Sequence, residues 1–411
     1  MVLVTNGLTQ GGAETQLLRL AGLLRKHGDE VGLLSILPTE AYAEEVAALG
    51  VPLAHLRVRS VGKGPSAIEA GVRVLRAWRP DALVSFVYQA NVLGRLAGRL
   101  AGVPVVISSV RNERFGGRGR ELVLRATDRL CTMTTTNSTA AADRLVARGI
   151  VPRSRLVVIT NGLDPAPFQE AGTRRAAARA GLGVADGQFV WLAAGRLEPQ
   201  KDYPTLLDAI ARCTGSGPDH RLLVAGQGRL RPDLERLAGQ LGLGDRVRFL
   251  GVRADIPELV AACDGVVLSS RFEGLPNVVM EAMAGARPVV ATRVGGTPEL
   301  VEQGASGVLV DPGDPAALAA AMSEVMAAPA ARREAMGARG RSIVAERYSL
   351  AALGEQWLGL LDRCIAGGRR RDGVRPPLSA DVPGAVTPDA GAGGDRSAAP
   401  RGPQSEASPP R

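Results

Sequence analysis

The sequence predicts an α/β protein made of two tandem parallel-sheet units. Three observations carry this reading. Short β-branched apolar runs alternate with longer amphipathic stretches, the pattern of a parallel sheet covered by helices on both faces. The alternation restarts after the turn-rich run Asn161-Gly162-Leu163-Asp164-Pro165-Ala166-Pro167. The length, 411 residues with 45% apolar side chains, holds two or three domains at roughly 100 to 200 residues each and supplies them with a core.

In chain order, Val2-Leu3-Val4 reads as the first strand. A helix near 13–26 and a strand near 31–36 follow. The pattern continues with a helix near 67–78, a strand at 82–86, a helix near 91–101 and a strand at 104–108. Beyond the hinge, strands are expected near 189–193, 221–225, 247–250, 265–269 and 288–291, each separated by a helical stretch. A last helix near 350–364 carries Leu353, Trp357, Leu360 and Leu361 at helical spacing, a core stripe. Past residue 367, Pro, Gly, Ala and Ser replace apolar periodicity, so 367–411 is expected to be a disordered tail.

Composition narrows the function classes. Cys131, Cys213, Cys263 and Cys364 form no Cys-x-x-Cys pair, which argues against a disulfide scaffold or zinc ribbon and for a reducing compartment. Met1 to Gly7 lacks the basic and apolar regions of a secretory signal, and no apolar run approaches the roughly 18 residues that span a bilayer. The expectation is a cytoplasmic protein, soluble or attached only peripherally at the inner face of the cell membrane. Of the +9 net charge, residues 1–165 hold +8, with 21 Lys+Arg against 13 Asp+Glu. With 3% aromatic residues and no RNA- or DNA-binding motif, nucleic acid is a poor partner. An anionic ligand or an anionic membrane surface fits the excess better.

In an open parallel sheet, ligands bind at the carboxyl ends of the strands, where loops enter helices. The first such joint is Gln10-Gly11-Gly12-Ala13-Glu14, where two glycines allow close backbone approach and the helix amides favour an anion. On the glycine pair alone, a tight turn without a ligand is the simpler account. The second joint, Gly195 to Tyr203, sets Arg196 and Lys201 five residues apart, a fork and a point charge suited to a diphosphate or to a solvated surface. Only three lysines occur in the chain. The third joint, Ser270 to Asn277, carries Glu273 in its loop, and Glu281 follows about four residues into the next helix, some 6 Å along its axis. Two carboxylates so placed accept hydrogen bonds from two hydroxyl-bearing parts of one ligand, with Gly274 allowing close approach between them. Val279, Met280, Ala282 and Met283 surround Glu281, and a carboxylate among apolar neighbours calls for a partner.

Glu273 and Glu281 together resemble the E-x7-E pattern of retaining glycosyltransferases of the GT-B fold, specifically family 4, which use nucleotide-sugars to build polysaccharides, exopolysaccharides among them, and glycolipids. The resemblance covers roughly residues 2–365. It includes Gly11-Gly12-Ala13-Glu14, Asn161-Gly162-Leu163-Asp164, Gly195-Arg196 with Lys201, Gly226-Gln227-Gly228, Phe272-Glu273-Gly274-Leu275-Pro276 and Gly295-Gly296-Thr297-Pro298-Glu299. It implies two Rossmann-like domains facing a central cleft, 1–162 on the acceptor side and 163–366 binding the donor. It implies that Arg196 and Lys201 hold the donor diphosphate as it leaves, that Glu281 binds the ribose and that Glu273 contacts the transferred sugar. Backbone amides after Glu273, near Leu275-Pro276-Asn277, and those of Gly11 and Gly12 would flank phosphates and sugar, with Gly274 in the same run, and Gly251, Val252 and Arg253 would lie against the base.

The family retains anomeric configuration and needs no metal or other cofactor, the nucleotide-sugar being a co-substrate. The chain accordingly has no Asp-x-Asp to clamp a metal on a diphosphate. Many relatives carry a histidine after the strand ending at Ser108, where this chain has Arg111 and Asn112. These two are candidates for sugar or acceptor contact, or for a structural turn. The acceptor expected is a glycan or a lipid-linked sugar. The segment 111–129, with Arg111, Arg114, Arg118, Arg120, Arg125 and Arg129 among apolar residues, would draw the enzyme to an anionic membrane, although a solvated helix accounts for it as well. A catalytically inactive nucleotide-sugar-binding regulatory or scaffold subunit is the alternative. A non-hydrolysing epimerase is disfavoured by the Phe272 to Pro276 run with Glu281, and a dehydrogenase by the lack of Gly-x-Gly-x-x-Gly after the first strand.

Overall fold

Strands buried on both faces need apolar side chains on both sides, and the first strand meets that demand with Val2, Leu3 and Val4, none of them exposed. A computed structural model describes residues 1–8, 11–38, 42–56, 64–111, 115–213, 219–367 and Leu378. In the first unit the strands are β1 (Val2–Thr5), β2 (Gly32–Ser35), β3 (Leu53–His55), β4 (Ala82–Phe86), β5 (Val105–Val110), β6 (Met133–Thr136) and β7 (Leu156–Val158). They pair in parallel in the order β3-β2-β1-β4-β5-β6-β7. Successive side chains serve opposite faces. Leu3 packs with Leu17, Leu20 and Leu24 of the helix Gly12–His27. Val2 and Val4 pack with Val74 and Trp78 of the helix Gly64–Trp78 and Leu93 and Ala97 of the helix Tyr88–Ala101.

The second unit repeats the plan with β8 (Phe189–Ala194), β9 (His220–Ala225), β10 (Val247–Gly251), β11 (Gly265–Leu268), β12 (Val289–Thr292) and β13 (Gly307–Val310), in the order β10-β9-β8-β11-β12-β13. Each sheet is thus doubly wound. Strand order reverses between β1 and β4 and again between β8 and β11, and these switch points open crevices at the strands' carboxyl ends. The two crevices share one cleft of about 970 Å³ lined by both units. The two Rossmann-like domains and the central cleft between them match the expected architecture.

One expectation changes. The helix Leu350–Gly367, counted with residues 163–366 as part of the second unit, packs on the first. Its Leu353, Trp357, Leu360 and Leu361 do form a core stripe, but that stripe joins Leu3, Phe86 and Ile107, and Trp357 stacks on Phe86 at 6.1 Å between centroids. Periodicity reports that a face is buried and is silent on which unit buries it. The tail lies outside the described residues except for Gly367, which ends that helix, and Leu378, which is half-buried against the Val2/Val4 cluster. Among the described residues no helix is long and apolar enough to cross a membrane.

Trp357 is 1% exposed, and Trp357→Ala is expected to cost about 3–5 kcal/mol of stability. Urea denaturation would read this as a lower midpoint. A loss below about 1 kcal/mol would mean that the helix is not docked on the first unit.

Candidate active site

The second unit's wall is built from its two switch-point joints. At the end of β8, Gly195 turns the chain with φ 155°, and Gly226 packs so closely that a Cβ there would lie 2.0 Å from the Gly195 oxygen. A short turn, Pro199–Lys201, ends on Asp202 with φ 50°, a left-handed conformation held by the buried Asp202 carboxylate, which receives Thr205 at 2.9 Å and Arg271 at 3.0 Å. The Lys201 carbonyl accepts from Ser269 Oγ at 2.8 Å. These bonds fix the turn and aim Lys201 at the joint after β11. There its Nζ lies 2.6 Å from Glu273 Oε1, and Ser270 Oγ donates to the same oxygen at 2.6 Å. The paired side chains are 16% and 8% exposed, so each charge stands in for the water that the other has lost. Gln200 Nε2 reaches Glu273 Oε2 at 3.4 Å, leaving acceptor capacity on that oxygen.

Arg196 differs from Lys201. It is exposed, and among the described residues it makes no hydrogen bond or ion pair. Glu281 sits in the helix Asn277–Ala284 with Val279, Met280, Ala282 and Met283 buried around it. Its carboxylate has no hydrogen-bond partner among the described residues and faces Arg19 and Lys201. Burial raises its pKa above the ordinary carboxylate range, and the two cations offset part of that rise. Val252 and Arg253 line the same cleft, Arg253 locked on Asp255 at 2.6 Å. Gly251 stands one step behind the cleft wall, where its φ of 71° turns the chain to present Val252.

The first unit supplies the facing wall. Gly11, with extended backbone, precedes the helix Gly12–His27. A Cβ on Gly12 would lie 3.1 Å from Asn277 Nδ2, a tight contact that the glycine avoids where the two units meet. The Asn277 side chain is taken up by that junction, accepting from Asn161 Nδ2 at 2.8 Å and donating to the Gly12 carbonyl at 3.3 Å. The first amides of its helix have no intrahelical acceptor and remain for a ligand. Gly274, Leu275 and Pro276 line the cleft beside it. A Cβ on Gly274 would lie 2.7 Å from the Arg111 carbonyl oxygen, so this glycine is required by the contact between the units. Arg111 itself is buried. It donates to Asn161 Oδ1 and to Ser109 Oγ at 3.1 Å and lies 4.6 Å over the Phe86 ring, and burial lowers its pKa to about 9. Its guanidinium is spent on the fold of the junction. Asn112 lies outside the described residues.

Several residues of the cleft and of the hinge beneath it escaped the sequence reading. Gln16 exchanges two 2.9 Å bonds with Gly162, and Arg19 donates to the Gly162 carbonyl at 2.6 Å. A signal for Gln16 existed: it falls on the apolar face of its helix between Ala13 and Leu20. Asn137, buried, lines the cleft with its Oδ1 unpartnered. Val87, a β-branched residue at φ 66°, lines it where β4 meets the next helix, a strained conformation of the kind that gathers at binding sites. Chemically, one wall offers two cations, helix amides and two carboxylates, a set matched to an anionic, hydroxyl-rich ligand.

Comparison with known proteins agrees with this geometry. The family model described as "Glycosyl transferases group 1" matches residues 188–328, and "Glycosyl transferase 4-like domain" matches residues 11–162. An alpha-D-kanosaminyltransferase of Streptomyces kanamyceticus is 31% identical over 280 residues, 64% of this chain and 72% of the relative. A D-inositol 3-phosphate glycosyltransferase of Salinispora tropica is 31% identical over 408 residues, covering 88% and 83%. Among solved structures, Anabaena HepE in complex with UDP-glucose aligns with TM-score 0.77 at 25% identity, over 88% of this chain and 99% of that one.

Proposed function

The chain belongs to the group 1 glycosyl transferases, and from that premise we propose that it moves a hexosyl unit from a nucleoside-diphosphate sugar to a hydroxyl of a glycan or lipid-linked acceptor, retaining anomeric configuration and using no metal ion. The observation that carries the reading is the desolvated Lys201–Glu273 pair beside the unpaired Arg196 on one wall of the cleft. Arg196 and Lys201 bind the diphosphate and stabilise the charge that grows on it as the glycosidic bond breaks, the work a metal would otherwise do. Glu273 uses its remaining acceptor sites for hydroxyls of the transferred sugar. Glu281 takes the ribose hydroxyls, and the amides near Leu275 to Asn277 and at Gly11 and Gly12 flank phosphates and sugar. Val252 and Arg253 lie against the base. HepE binding UDP and UDP-glucose supports a uridine diphosphate donor. An inactive scaffold is not favoured, because the relatives that match are named as transferases.

A membrane surface fits the helix Arg118–Thr127. Leu122 and Val123 are 65% and 38% exposed, while Arg118, Arg120 and Arg125 stand exposed around them and Leu124 anchors the helix in the core. Of the six arginines expected there, Arg111 points inward and Arg114 lies outside the described residues. The proposed surface is the cytoplasmic face of an anionic membrane.

Three outcomes follow for this reading. Arg196→Ala and Lys201→Ala should each lower kcat on the order of 10²-fold, while wild-type turnover withstands EDTA; activity abolished by EDTA and restored by Mg²⁺ would sink the metal-free mechanism. Glu281→Gln should weaken UDP-glucose binding about tenfold in calorimetry. Because the carboxylate is the accepting form and its pKa is raised, wild-type affinity should fall as pH drops through that raised pKa, and the variant should lack this acid limb. Liposome co-sedimentation should require anionic lipid and fail for Leu122→Ser/Val123→Ser; unchanged binding by that variant would remove the helix as the contact.

A further inference from the structure

Resting on that reading of the cleft, we infer that the acceptor ring bound here is an unphosphorylated polyol, a sugar or cyclitol whose hydroxyl or amino groups are received by Glu14, Glu45 and Asn137. The charged side chains proposed to hold the donor, Arg196, Lys201, Glu273 and Glu281, all belong to the second unit, and the first unit gives the donor only the amides of Gly11 and Gly12. A second substrate must therefore meet the first unit's wall. Among the described residues lining that wall, the charged ones are Glu14, Arg19, Glu45 and Arg111.

The two cations are committed. Arg111 is buried with bonds to Asn161 and Ser109 and its face on Phe86. Arg19 is bonded to the Gly162 carbonyl and faces Glu281. The two carboxylates are available. Glu14 stands in the first turn of the helix Gly12–His27, and apart from its own backbone amide it makes no hydrogen bond among the described residues. It faces Arg196 and Arg111. Once a diphosphate engages Arg196, Glu14 loses that counter-charge and is left to accept from another ligand. Glu45, on the helix Ala43–Leu49, is exposed and unpaired among the described residues.

Asn137 provides an independent sign that a donor is missing. It is 3% exposed, and its Oδ1 has no partner. That oxygen lies 2.8 Å from where a Cβ on Gly274 would stand, beside the Glu273 loop. A buried carbonyl oxygen without a hydrogen bond costs stability until a ligand supplies one. Hydroxyl and ammonium groups donate; a phosphate dianion does not, and among the described residues of this wall it would meet two carboxylates while both arginines are already hydrogen-bonded within the fold.

Saturation-transfer NMR with UDP present tests this, using methyl glucoside, glucosamine and glucose 6-phosphate at equal concentration. Methyl glucoside and glucosamine should saturate and glucose 6-phosphate should not. In Glu14→Gln/Glu45→Gln, glucosamine should weaken most, by about tenfold, since it loses charge-assisted bonds. UDP binding should not weaken, because the removed charges repel it. Preference for glucose 6-phosphate, equal binding by the variant, or saturation of none of the three while UDP binds overturns the inference. Failure of UDP itself to bind the wild type would instead overturn the donor reading beneath it.

Discussion

The cleft exists because a polar clasp at the hinge fixes one unit against the other. Gln16 and Gly162 exchange two hydrogen bonds and Arg111 donates to Asn161, which pins the hinge to the first unit, and Asn161 Nδ2 donates across to the Leu275 carbonyl of the second at 2.9 Å. At the far side, Glu299 of the second unit accepts from the amides of Thr139 and Ala140 at 3.1 Å each, where the helix Thr139–Ala147 begins. A carboxylate there meets both orphan amides and a favourable helix dipole. Gln16 and Asn161 are buried, so leaving either unpaired would cost more than the bond itself is worth. Apolar contact between units tolerates sliding. Directional bonds at Gly162 and Leu275 do not, and they place the Glu273 loop against the first unit's wall.

Given that register, the electrostatics of the two walls diverge. The second unit keeps one cation committed to an internal partner, Lys201, and one uncommitted, Arg196. The committed pair holds Glu273 in place before any ligand arrives, so orientation is not gained at the ligand's expense. The uncommitted cation has its charge available for a ligand. Arg271, which could compete with it, is held by Asp202 instead. The left-handed Asp202 therefore serves both the turn that aims Lys201 and the neutralisation of a neighbouring charge.

Much of this was legible. The strand 82–86 and the helix ending at Trp78 coincide with Ala82–Phe86 and Gly64–Trp78, because continuous apolar runs in a doubly wound sheet have one physical explanation. Of the four strands left unread, Gly307–Val310 is a short apolar edge strand, and the other three have different chemistry. Leu53–His55 and Leu156–Val158 are three-residue edge strands. Met133–Thr136 is mostly threonine, and its Thr134 hydroxyl joins a buried network, donating to Asp128 Oδ1 at 3.0 Å beside the wholly buried Arg95. At the site, residue types at strand-to-helix joints pointed to Arg196, Lys201, Glu273 and Glu281. They could not say that Arg111 faces inward or that Asn277 bridges the units, since both depend on how two separate sheets meet.

The arginine excess makes the same point about charge. Read as a total, +8 in the first 165 residues suggests a wall that attracts anions. Resolved by residue, Arg95 is buried against Asp128, Arg155 also pairs with Asp128, Arg111 is bonded to Asn161, and Arg19 is bonded to Gly162. Those cations are structural, each satisfying carbonyls or carboxylates that folding would otherwise strand. The cations that solvent meets lie elsewhere, Arg25, Arg73, Arg76, Arg99 and Arg153 among them as well as Arg118, Arg120 and Arg125, while the described cleft wall of the same unit sets Glu14 and Glu45 beside Arg19 and Arg111. At a Debye length of about 8 Å, a ligand in the cleft responds to Glu14, Arg19, Glu45 and Arg111 rather than to the sum over the domain. The net charge of the unit therefore says little about the charge that faces the cleft, where two carboxylates and two hydrogen-bonded arginines stand together.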